Sequence, residues 1–306
     1  MDRKAVIDIG TNSIKLYVAE RASDGSLASV IDKNNIARLG EGMGDTGILQ
    51  PEAIARNAQA VAGFAELARA SGAQEIVAVG TMALRTARNS ADFVGEVQNS
   101  SGIAVRVIPG EEEAELAYLA VLSGIGASAG RLAVCDVGGG STEFIFGGDT
   151  GADRRFSINL GAVKLSDEHL ASDPPGPEQV ETAVSYVLDI LRDNRVDAVR
   201  PVDRLIGIGG TVTSMGSVKL KMAEYDPDLI QGAALTRDDV DELIRLFCSM
   251  PLGDRKKIVG LQPKRAEVII GGACIVRGIM ECLDVAEFTM SDRGLRHGLM
   301  FRLFQR

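Results

Sequence analysis

The 306-residue chain contains no tryptophan and only two histidines, His169 and His297. Neither histidine lies in an H-E-x-x-H or nucleophile-elbow setting, so a histidine-built zinc site and a Ser-His-Asp hydrolase are both disfavoured. The chain also lacks the G-x-x-x-x-G-K-[ST] motif, which leaves P-loop chemistry unsupported. The four cysteines show no C-x-x-C spacing, and we expect them to be buried, reduced thiols.

Long apolar runs and excess positive charge are also missing. No run approaches the roughly 18 apolar residues that a membrane span needs, and no leader pattern precedes the first apolar segment, Ala5–Ile9. We therefore expect a cytoplasmic protein with no membrane partner. The formal net charge is −9, so the surface as a whole will not attract a polyanion. We expect no nucleic-acid partner, and a phosphate-rich ligand would need basic groups gathered locally.

Glycine is abundant, with 35 residues, many of them at the ends of apolar segments. Short apolar segments alternate with longer amphipathic ones, which is typical of the α/β class. The length predicts two domains, residues 1–122 and 123–306. Ser123–Arg131 is small and nearly uncharged, as suits a hinge between them, and a C-terminal helix at about 296–306 is expected to pack back on the first domain.

The periodicity predicts eight strands and six main helices. The strands are at 5–9, 15–20, 75–80, 105–109, 132–137, 143–146, 204–208 and 287–291, and the helices are at 50–71, 90–100, 111–122, 177–196, 236–249 and 265–283.

The chain contains an internal repeat. V-I-D-I-G-T-N-S at 6–13 aligns with V-C-D-V-G-G-G-S at 134–141, an offset of 128 residues. In both copies an apolar strand ends in Asp, and a glycine turn and a second strand follow. Farther along, I-V-A-V-G-T at 76–81 is matched by L-I-G-I-G-G-T at 205–211. The repeat predicts two similar domains whose four glycine turns line one cleft.

The turn formed by Gly138, Gly139, Gly140 and Ser141 is the strongest candidate for a phosphate site. Backbone N–H groups of a glycine turn can form a nest for phosphate oxygens, and glycine permits the close approach. Asp136 and Glu143 flank the turn. Because carboxylates repel a bare phosphate, the combination indicates a bridging Mg²⁺. The alternative is an ordinary β-hairpin turn, against which the repetition of Asp-x-Gly argues.

Three further candidates each have both a functional and a purely structural explanation. Gly209-Gly210-Thr211 precedes a helix and could cradle an anion, although such turns are also common packing chemistry. Glu113 lies in a dense acidic segment that opens a helix; it could be a general base, or it could simply complement the helix dipole. Arg85 follows a strand-end glycine and could bind phosphate with its planar guanidinium, unless it is a surface helix arginine.

Together these segments resemble the exopolyphosphatase / guanosine pentaphosphate phosphohydrolase family in its short two-domain form. Eight segments carry the resemblance in the right order: D-I-G-T-N-S (8–13), G-T-M-A-L-R-T-A-R-N (80–89), I-P-G-E-E-E-A (108–114), D-V-G-G-G-S-T-E (136–143), I-N-L-G-A-V-K-L (158–165), G-I-G-G-T-V-T (207–213), R-A-E-V-I-I-G-G (265–272) and S-D-R-G-L-R-H-G (291–298). The resemblance implies two similar ribonuclease H-like α/β domains of the actin-like superfamily, facing an interdomain cleft.

The resemblance also implies roles for particular residues. The catalytic glutamate, which positions or deprotonates the attacking water, falls on Glu113. Asp136 and Glu143 are placed to handle Mg²⁺ and the terminal phosphate. The implied phosphate-binding residues are Asn12, Ser13, Arg85, Gly138, Gly139, Gly140, Ser141, Gly209, Gly210 and Thr211. A homodimer is a further expectation of the resemblance.

We expect hydrolysis of the terminal phosphate of inorganic polyphosphate, with the 5′-phosphate of pppGpp as the alternative substrate. Lys164 and Arg265 are added to the phosphate-binding set because a basic track suits a long polyanion; the full track is Lys164, Lys219, Lys221, Lys264, Arg265, Arg293 and Arg296. The pppGpp alternative needs a guanine pocket, which no aromatic residue marks. An ATP-dependent kinase of the same superfamily and a non-catalytic nucleotide-binding or filament-forming protein remain weaker alternatives.

Overall fold

The computed structural model describes residues 2–22, 27–125, 130–148 and 151–305. The chain divides into two compact units, one formed by Met1–Ala120 with Leu295–Arg306 and the other by Val121–Gly294. Each unit is built on one β-sheet that packs against helices. Among the described residues, none of the helices combines the length and apolar character that crossing a bilayer requires.

The first unit contains a five-stranded sheet in the order β3-β2-β1-β4-β5. Strands β1, β2 and β3 form an antiparallel meander, while β4 and β5 extend the sheet in parallel on the other side of β1. In chain order the elements are β1 (Arg3–Ile9), β2 (Ile14–Arg21), β3 (Leu27–Asn35), α1 (Pro51–Ala70), β4 (Glu75–Gly80), α2 (Met82–Thr86), α3 (Ser90–Ser101), β5 (Val105–Val107) and α4 (Gly110–Ile125). The C-terminal helix of the chain also belongs to this unit.

Alternation along β1 explains how the sheet of the first unit is covered on both faces. Ala5, Ile7 and Ile9 pack in one cluster with buried residues of α1 and α3. Val6 points to the opposite face and packs in a second cluster with Leu116 of α4 and residues of the C-terminal helix. Because successive strand residues face opposite sides, a continuous apolar strand needs a helix layer on each side.

The second unit contains a six-stranded sheet in the order β10-β11-β9-β6-β7-β8. In chain order its elements are β6 (Leu132–Val137), β7 (Thr142–Gly148), β8 (Gly151–Ile158), α5 (Ala162–His169), α6 (Pro177–Asp193), β9 (Arg204–Ile208), α7 (Gly209–Lys219), α8 (Pro227–Ile230), β10 (Ala234–Thr236), α9 (Arg237–Cys248), α10 (Leu252–Arg255), α11 (Ile269–Leu283) and β11 (Glu287–Met290). The last helix, α12 (Leu295–Phe304), returns to the first unit. One large apolar cluster runs from β6 and β7 to α6, α9 and α11.

The two sheets share one topology. Strands β6, β7 and β8 form an antiparallel meander, and β9 and β11 continue the sheet in parallel beyond β6, as β4 and β5 do beyond β1. The second sheet adds only the short antiparallel edge strand β10. The internal repeat and the predicted fold class, two similar ribonuclease H-like α/β domains, are confirmed.

The predicted elements are present, and three strands were missed. Strands β3, β8 and β10 lie at sheet edges; β10 has three residues, β3 has no buried residue and β8 has one, so they lack the apolar signal on which the prediction relied. Of the predicted hinge Ser123–Arg131, residues 126–129 lie outside the described residues, and its first three residues end α4. The cysteines are free thiols; three are buried and Cys248 is partly exposed.

Candidate active site

The first glycine turn joins β1 to β2 and contains two predicted phosphate-binding residues. The N–H of Gly10 donates to the carbonyl of Ser13 at 2.9 Å, which closes the turn. The carbonyls of Thr11 and Asn12 accept hydrogen bonds from Gly40 and Arg38 in the segment after β3. Asn12 and Ser13 are buried polar residues. The turn is therefore held firmly by backbone bonds before any ligand is considered.

Asp8, at the end of β1, faces Lys15 across the same hairpin. The two residues are direct register partners, and Lys15 Nζ lies 3.5 Å from Asp8 Oδ2. Asp8 is buried, and its negative charge is balanced within the hairpin. Lys15 was not singled out from the sequence, although it lies within the repeated strand–turn–strand unit.

Arg85 and Glu113 are brought together in the first unit. Arg85 lies in the short helix α2 that follows β4, and Glu113 lies in the first turn of α4. The Nη1 of Arg85 donates to Glu113 Oε2 at 2.7 Å and to the carbonyl of Ile108 at 3.1 Å. The Glu113 side chain is mostly buried. Arg85 is thus neither a free surface arginine nor isolated from the predicted base: its guanidinium orients the Glu113 carboxylate.

The second glycine turn, residues 138–141, has the same backbone closure as the first. The N–H of Gly138 donates to the carbonyl of Ser141 at 3.0 Å. The N-terminus of α5 packs on this turn, since the N–H groups of Ala162 and Val163 donate to the carbonyls of Gly138 and Gly139. A Cβ at Gly161 would overlap the backbone of Gly139 and Gly140, so this close packing requires glycine there.

Asp136 and Glu143 face each other across the β6–β7 hairpin as register partners. Glu143 is buried, and its Oε1 accepts hydrogen bonds from the hydroxyls of Ser141 and Ser157, both at 2.7 Å. These two bonds orient the carboxylate. Ser157 was missed from the sequence because its strand, β8, was not predicted; in the structure it is the register partner of Glu143 on the outer side.

Asp136 also contacts the turn between β9 and α7, which contains Gly209 and Gly210. Gly209 has a φ of +88°, and a Cβ at this position would overlap Asp136 Oδ1. Glycine is needed there for both the backbone conformation and the close approach of the carboxylate. Because α7 begins at Gly209, the N–H groups of its first turn lie beside Asp136, and a helix N-terminus suits an anion.

Arg265 packs directly against Gly210, so that a Cβ at Gly210 would overlap its guanidinium. Burial lowers the pKa of Arg265 to about 10, which still leaves the side chain protonated at neutral pH. Thr211 is buried next to Gly272 of α11. The structure therefore brings four of the predicted residues of the second unit, Asp136, Gly209, Gly210 and Arg265, into one group.

Three residues of the proposed basic track, Lys164, Lys219 and Arg296, are paired with nearby carboxylates. Lys164 is about half exposed, and its Nζ lies 3.7 Å from Glu168 on the same helix. Lys219 forms ion pairs with Asp239 and Glu242, and Arg296 binds Asp32 with both of its hydrogen bonds at 3.0 Å. These local carboxylates neutralise cations on which the polyanion argument relied, so the track is a weaker argument for polyphosphate than the sequence suggested.

The donor set for a metal ion is small. Within the parts of the chain that the structure describes, no group of three or more histidine, cysteine, aspartate or glutamate side chains could hold a metal. Asp136 and Glu143 offer two carboxylates on adjacent strands. One or two carboxylates, completed by substrate phosphate oxygens and water, are the usual protein ligands of Mg²⁺. The pair therefore fits the group that was predicted there.

The chain matches known phosphatases over almost its whole length. The sequence profile of the Ppx/GppA phosphatase family matches residues 3–306. Exopolyphosphatase 2 of Mycobacterium tuberculosis is 32% identical over 322 residues, covering 99% of this chain and 99% of that protein.

Two solved structures show the same fold. The Aquifex aeolicus member of the Ppx/GppA family is 31% identical, has a TM-score of 0.82 and covers 99% of this chain and 98% of that chain. An exopolyphosphatase from Cytophaga hutchinsonii is 23% identical with a TM-score of 0.91, again with 99% and 98% coverage. These matches confirm the resemblance that the eight sequence segments indicated: the chain belongs to the Ppx/GppA phosphatase family.

Proposed function

We propose that this member of the family is a Mg²⁺-dependent exopolyphosphatase, which hydrolyses the terminal phosphate of inorganic polyphosphate. Family membership supports a phosphatase, and the name of the Mycobacterium tuberculosis relative supports polyphosphate as the substrate. The roles of individual residues rest on the geometry of each unit.

The observation that carries the proposal is the acidic pair of the second unit. Asp136 and Glu143 lie opposite each other beside the turn at 138–141, and Asp136 reaches the turn at Gly209. Two carboxylates can provide the protein ligands of a Mg²⁺ ion, and phosphate oxygens would complete its coordination. An acidic pair beside two glycine turns is therefore suited to a metal-bound phosphate.

Asp136 and Glu143 would hold the Mg²⁺, and Ser141 and Ser157 keep the Glu143 carboxylate in its orientation. When bound, the ion would neutralise charge on the phosphoryl oxygens. The N–H groups of the turn at 139–141 and of the first turn of α7 are the proposed donors to the phosphate, while the N–H of Gly138 closes the turn. The buried guanidinium of Arg265 adds a fixed positive charge against Gly210.

Glu113 is proposed to accept a proton from the attacking water and to direct it in line. The neighbouring guanidinium of Arg85 donates to the Glu113 carboxylate and so orients the proposed base. Phosphoryl transfer depends chiefly on positioning and charge stabilisation, so an oriented carboxylate is a useful catalytic group for it.

The proposal is tested by phosphate release from long-chain polyphosphate, tripolyphosphate and pppGpp, measured side by side with Mg²⁺ and with EDTA. We expect release from long-chain polyphosphate that EDTA abolishes and added Mg²⁺ restores. Release from pppGpp alone would reassign the substrate, and ADP formation with an acceptor would indicate the kinase. No release from any of these substrates would favour a binding protein.

Glu113→Gln tests the role of the base separately. Turnover should fall by about 10²- to 10⁴-fold, the usual contribution of general base catalysis, while the urea unfolding midpoint stays close to that of the wild type. Wild-type turnover in this variant would remove Glu113 from the role. The homodimer stays a prediction, which light scattering of the purified chain checks.

A further inference from the structure

The first turn of α4 is acidic, and arginines from three different elements bind its glutamates. Glu113 is bound by Arg85 of α2. Glu112 forms two hydrogen bonds with Arg106 of β5, at 2.7 and 3.0 Å. The third arginine, Arg302, comes from the C-terminal helix α12, which the proposed chemistry does not otherwise use. Three arginines thus bind the glutamates of this acidic segment.

Arg302 binds two of these glutamates at once. Its Nη1 lies 3.3 Å from Glu112 Oε1, and its Nη2 lies 3.0 Å from Glu115 Oε1. Residues three apart are neighbours on one helix face, so a single guanidinium can link them. Glu113 lies between them in sequence, but about 100° around the helix, where it meets Arg85. Arg302 therefore holds one side of the first turns of α4 while Arg85 holds the carboxylate on another.

The backbones of α12 and α4 also approach closely next to this contact. A Cβ at Gly298 would overlap the carbonyl oxygen of Leu116, one turn beyond Glu113. Around it, Leu295, Leu299 and Met300 are buried in one apolar cluster with Leu116. The helix that carries Glu113 is therefore in direct contact with α12, and Arg302 ties their charged ends together.

We propose that Arg302 is a positioning residue for Glu113. This inference rests on the proposed function, in which Glu113 is the base. Without Arg302, Glu112 keeps its bonds to Arg106, but the link between Glu112, Glu115 and α12 is lost, and the like charges of the two glutamates at this spacing are less well compensated. The first turn of α4 then loosens, and the Glu113 carboxylate loses the placement that in-line attack by water requires.

The kinetic test compares Arg302→Gln with a matched variant, Arg277→Gln. Arg277, in α11 of the second unit, also links two carboxylates, with bonds of 2.7 Å to Asp241 and 2.7 Å to Glu281. The Arg277 side chain is 21% exposed and that of Arg302 is 25% exposed.

We expect kcat for polyphosphate to fall about tenfold in Arg302→Gln, with KM unchanged within about twofold, because a small misplacement of a catalytic group affects turnover rather than binding. Arg302→Lys should restore part of kcat, and Arg277→Gln should keep the wild-type kcat.

Hydrogen exchange of the whole chain supplies a second readout that needs no activity. Peptides covering residues 110–118 should exchange faster in Arg302→Gln and not in Arg277→Gln. If the wild type releases no phosphate, the proposed function fails, while faster exchange still supports the contact. Wild-type kcat in Arg302→Gln overturns the inference even if exchange rises. Equal kcat losses in the two variants also overturn it, since the effect is then one of general stability. Unchanged exchange in Arg302→Gln overturns it as well, since the first turn of α4 then does not depend on Arg302.

Discussion

The hairpin β1–β2 of the first unit and the hairpin β6–β7 of the second unit differ in charge although their backbones match. Their turns close with the same bond, from Gly10 to Ser13 at 2.9 Å and from Gly138 to Ser141 at 3.0 Å. In the first hairpin Asp8 faces Lys15, and in the second Asp136 faces Glu143. Asp136 lies 128 residues after Asp8, and Glu143 lies 128 residues after Lys15, so the two pairs occupy equivalent positions of the internal repeat. One position of the repeat thus carries a cation in one unit and an anion in the other.

This difference distinguishes a charge pair that stabilises the fold from a carboxyl pair that could bind a ligand. The Asp8–Lys15 pair balances its own charge and requires no ligand. The Asp136–Glu143 pair places two carboxyl groups opposite each other, and the hydroxyls of Ser141 and Ser157 bind one oxygen of Glu143. Two carboxyl groups on adjacent strands are the arrangement on which the proposed Mg²⁺ site rests. The second hairpin is therefore the better candidate for the metal and the phosphate.

The largest expected effect comes from removing the charge of Glu143, the position at which the two hairpins differ. Glu143→Gln should lower phosphate release by about 10²- to 10³-fold, comparable to the loss of one preorganised group that stabilises the transition state, and should raise the Mg²⁺ concentration needed for half-maximal rate. Without Mg²⁺, its free energy of unfolding should stay equal to that of the wild type or rise, because like charges are separated. Kinetics over a Mg²⁺ titration and urea unfolding in EDTA measure the two quantities.

Lys15→Gln is the matched change in the first hairpin and should move stability in the opposite direction. It leaves the buried Asp8 carboxylate without its lysine, which should lower the free energy of unfolding by about 1–3 kcal/mol. Equal losses of turnover in the two variants, or a destabilised Glu143→Gln, would show that the two hairpins act alike and would contradict the comparison.

A second comparison uses Gly80, at the end of β4, and Gly210, in the first turn of α7 after β9. A Cβ at Gly210 would overlap the Arg265 guanidinium, whereas a Cβ at Gly80 would overlap Leu84, a buried apolar side chain. Gly210→Ala should therefore displace the guanidinium of Arg265, the proposed phosphate-binding group, and raise KM for polyphosphate about tenfold or more, since a hydrogen bond to a charged group contributes about 1.5–3 kcal/mol. Steady-state kinetics of the purified variant measures this shift.

Gly80→Ala provides the control. Overpacking against Leu84 should lower the free energy of unfolding by about 1–3 kcal/mol, with KM within about twofold of the wild type. If Gly80→Ala raised KM as much as Gly210→Ala, the increase would come from general distortion of the strand ends, and Arg265 would lose its proposed role.

How much of this site follows from the sequence depends on the distance between the residues concerned. Asp136, the turn at 138–141 and Glu143 are close in sequence, and the Asp-x-Gly pattern of the strand and turn occurs twice, so this segment could be predicted. The Arg302–Glu112 contact joins residues 190 positions apart, and no local pattern reports it. Ser157 lies on an edge strand with little apolar periodicity. Lys15 was available from the repeat itself, because applying the same offset to Glu143 leads to it.

A smaller effect on stability is expected from the ion pairs of β3 and β8, the outer strands of the two meanders. Burial raises the pKa of Asp32 in β3, but the hydrogen bond from His297 and the charge of Arg296 outweigh it and lower the pKa from 3.8 to about 2. Because the folded-state pKa is lowered, the resulting stabilisation is complete above the unfolded-state pKa and is lost as the pH falls towards 2. Asp32→Asn should therefore lower the free energy of unfolding by about 1–2 kcal/mol at pH 6, a value discounted for partial exposure, and the deficit should shrink between pH 5 and pH 2.

Asp153→Asn is the counterpart in the second unit. Asp153, in β8, binds Arg131 through a pair whose aspartate side chain is 54% exposed. An exposed pair contributes about 0.2–1 kcal/mol, so this substitution should have the smaller effect in urea unfolding at pH 6. A deficit in Asp32→Asn that grew as the pH fell would contradict the assignment of the lowered pKa to Asp32.

The smallest expected effect concerns the thiols, which occur only in the second unit. All four cysteines lie between residues 121 and 294. Burial raises the pKa of Cys274 in α11 to about 12, whereas Cys248 at the end of α9 is only half buried. Since the thiolate is the reactive form, iodoacetamide at pH 8 should modify Cys248 first and leave Cys274 unmodified in the native chain.

Mass spectrometry of the labelled chain over a urea series extends this test. Cys274 should become reactive only where the second unit opens, so its labelling reports on that unit and is silent about the first. In Glu143→Gln without Mg²⁺, the urea concentration at which Cys274 reacts should stay the same or increase. In Lys15→Gln, any destabilisation confined to the first unit should leave it unchanged. Early labelling of Cys274 in Lys15→Gln would show that the two units unfold together, and the stability of one hairpin could then not be measured apart from that of the other.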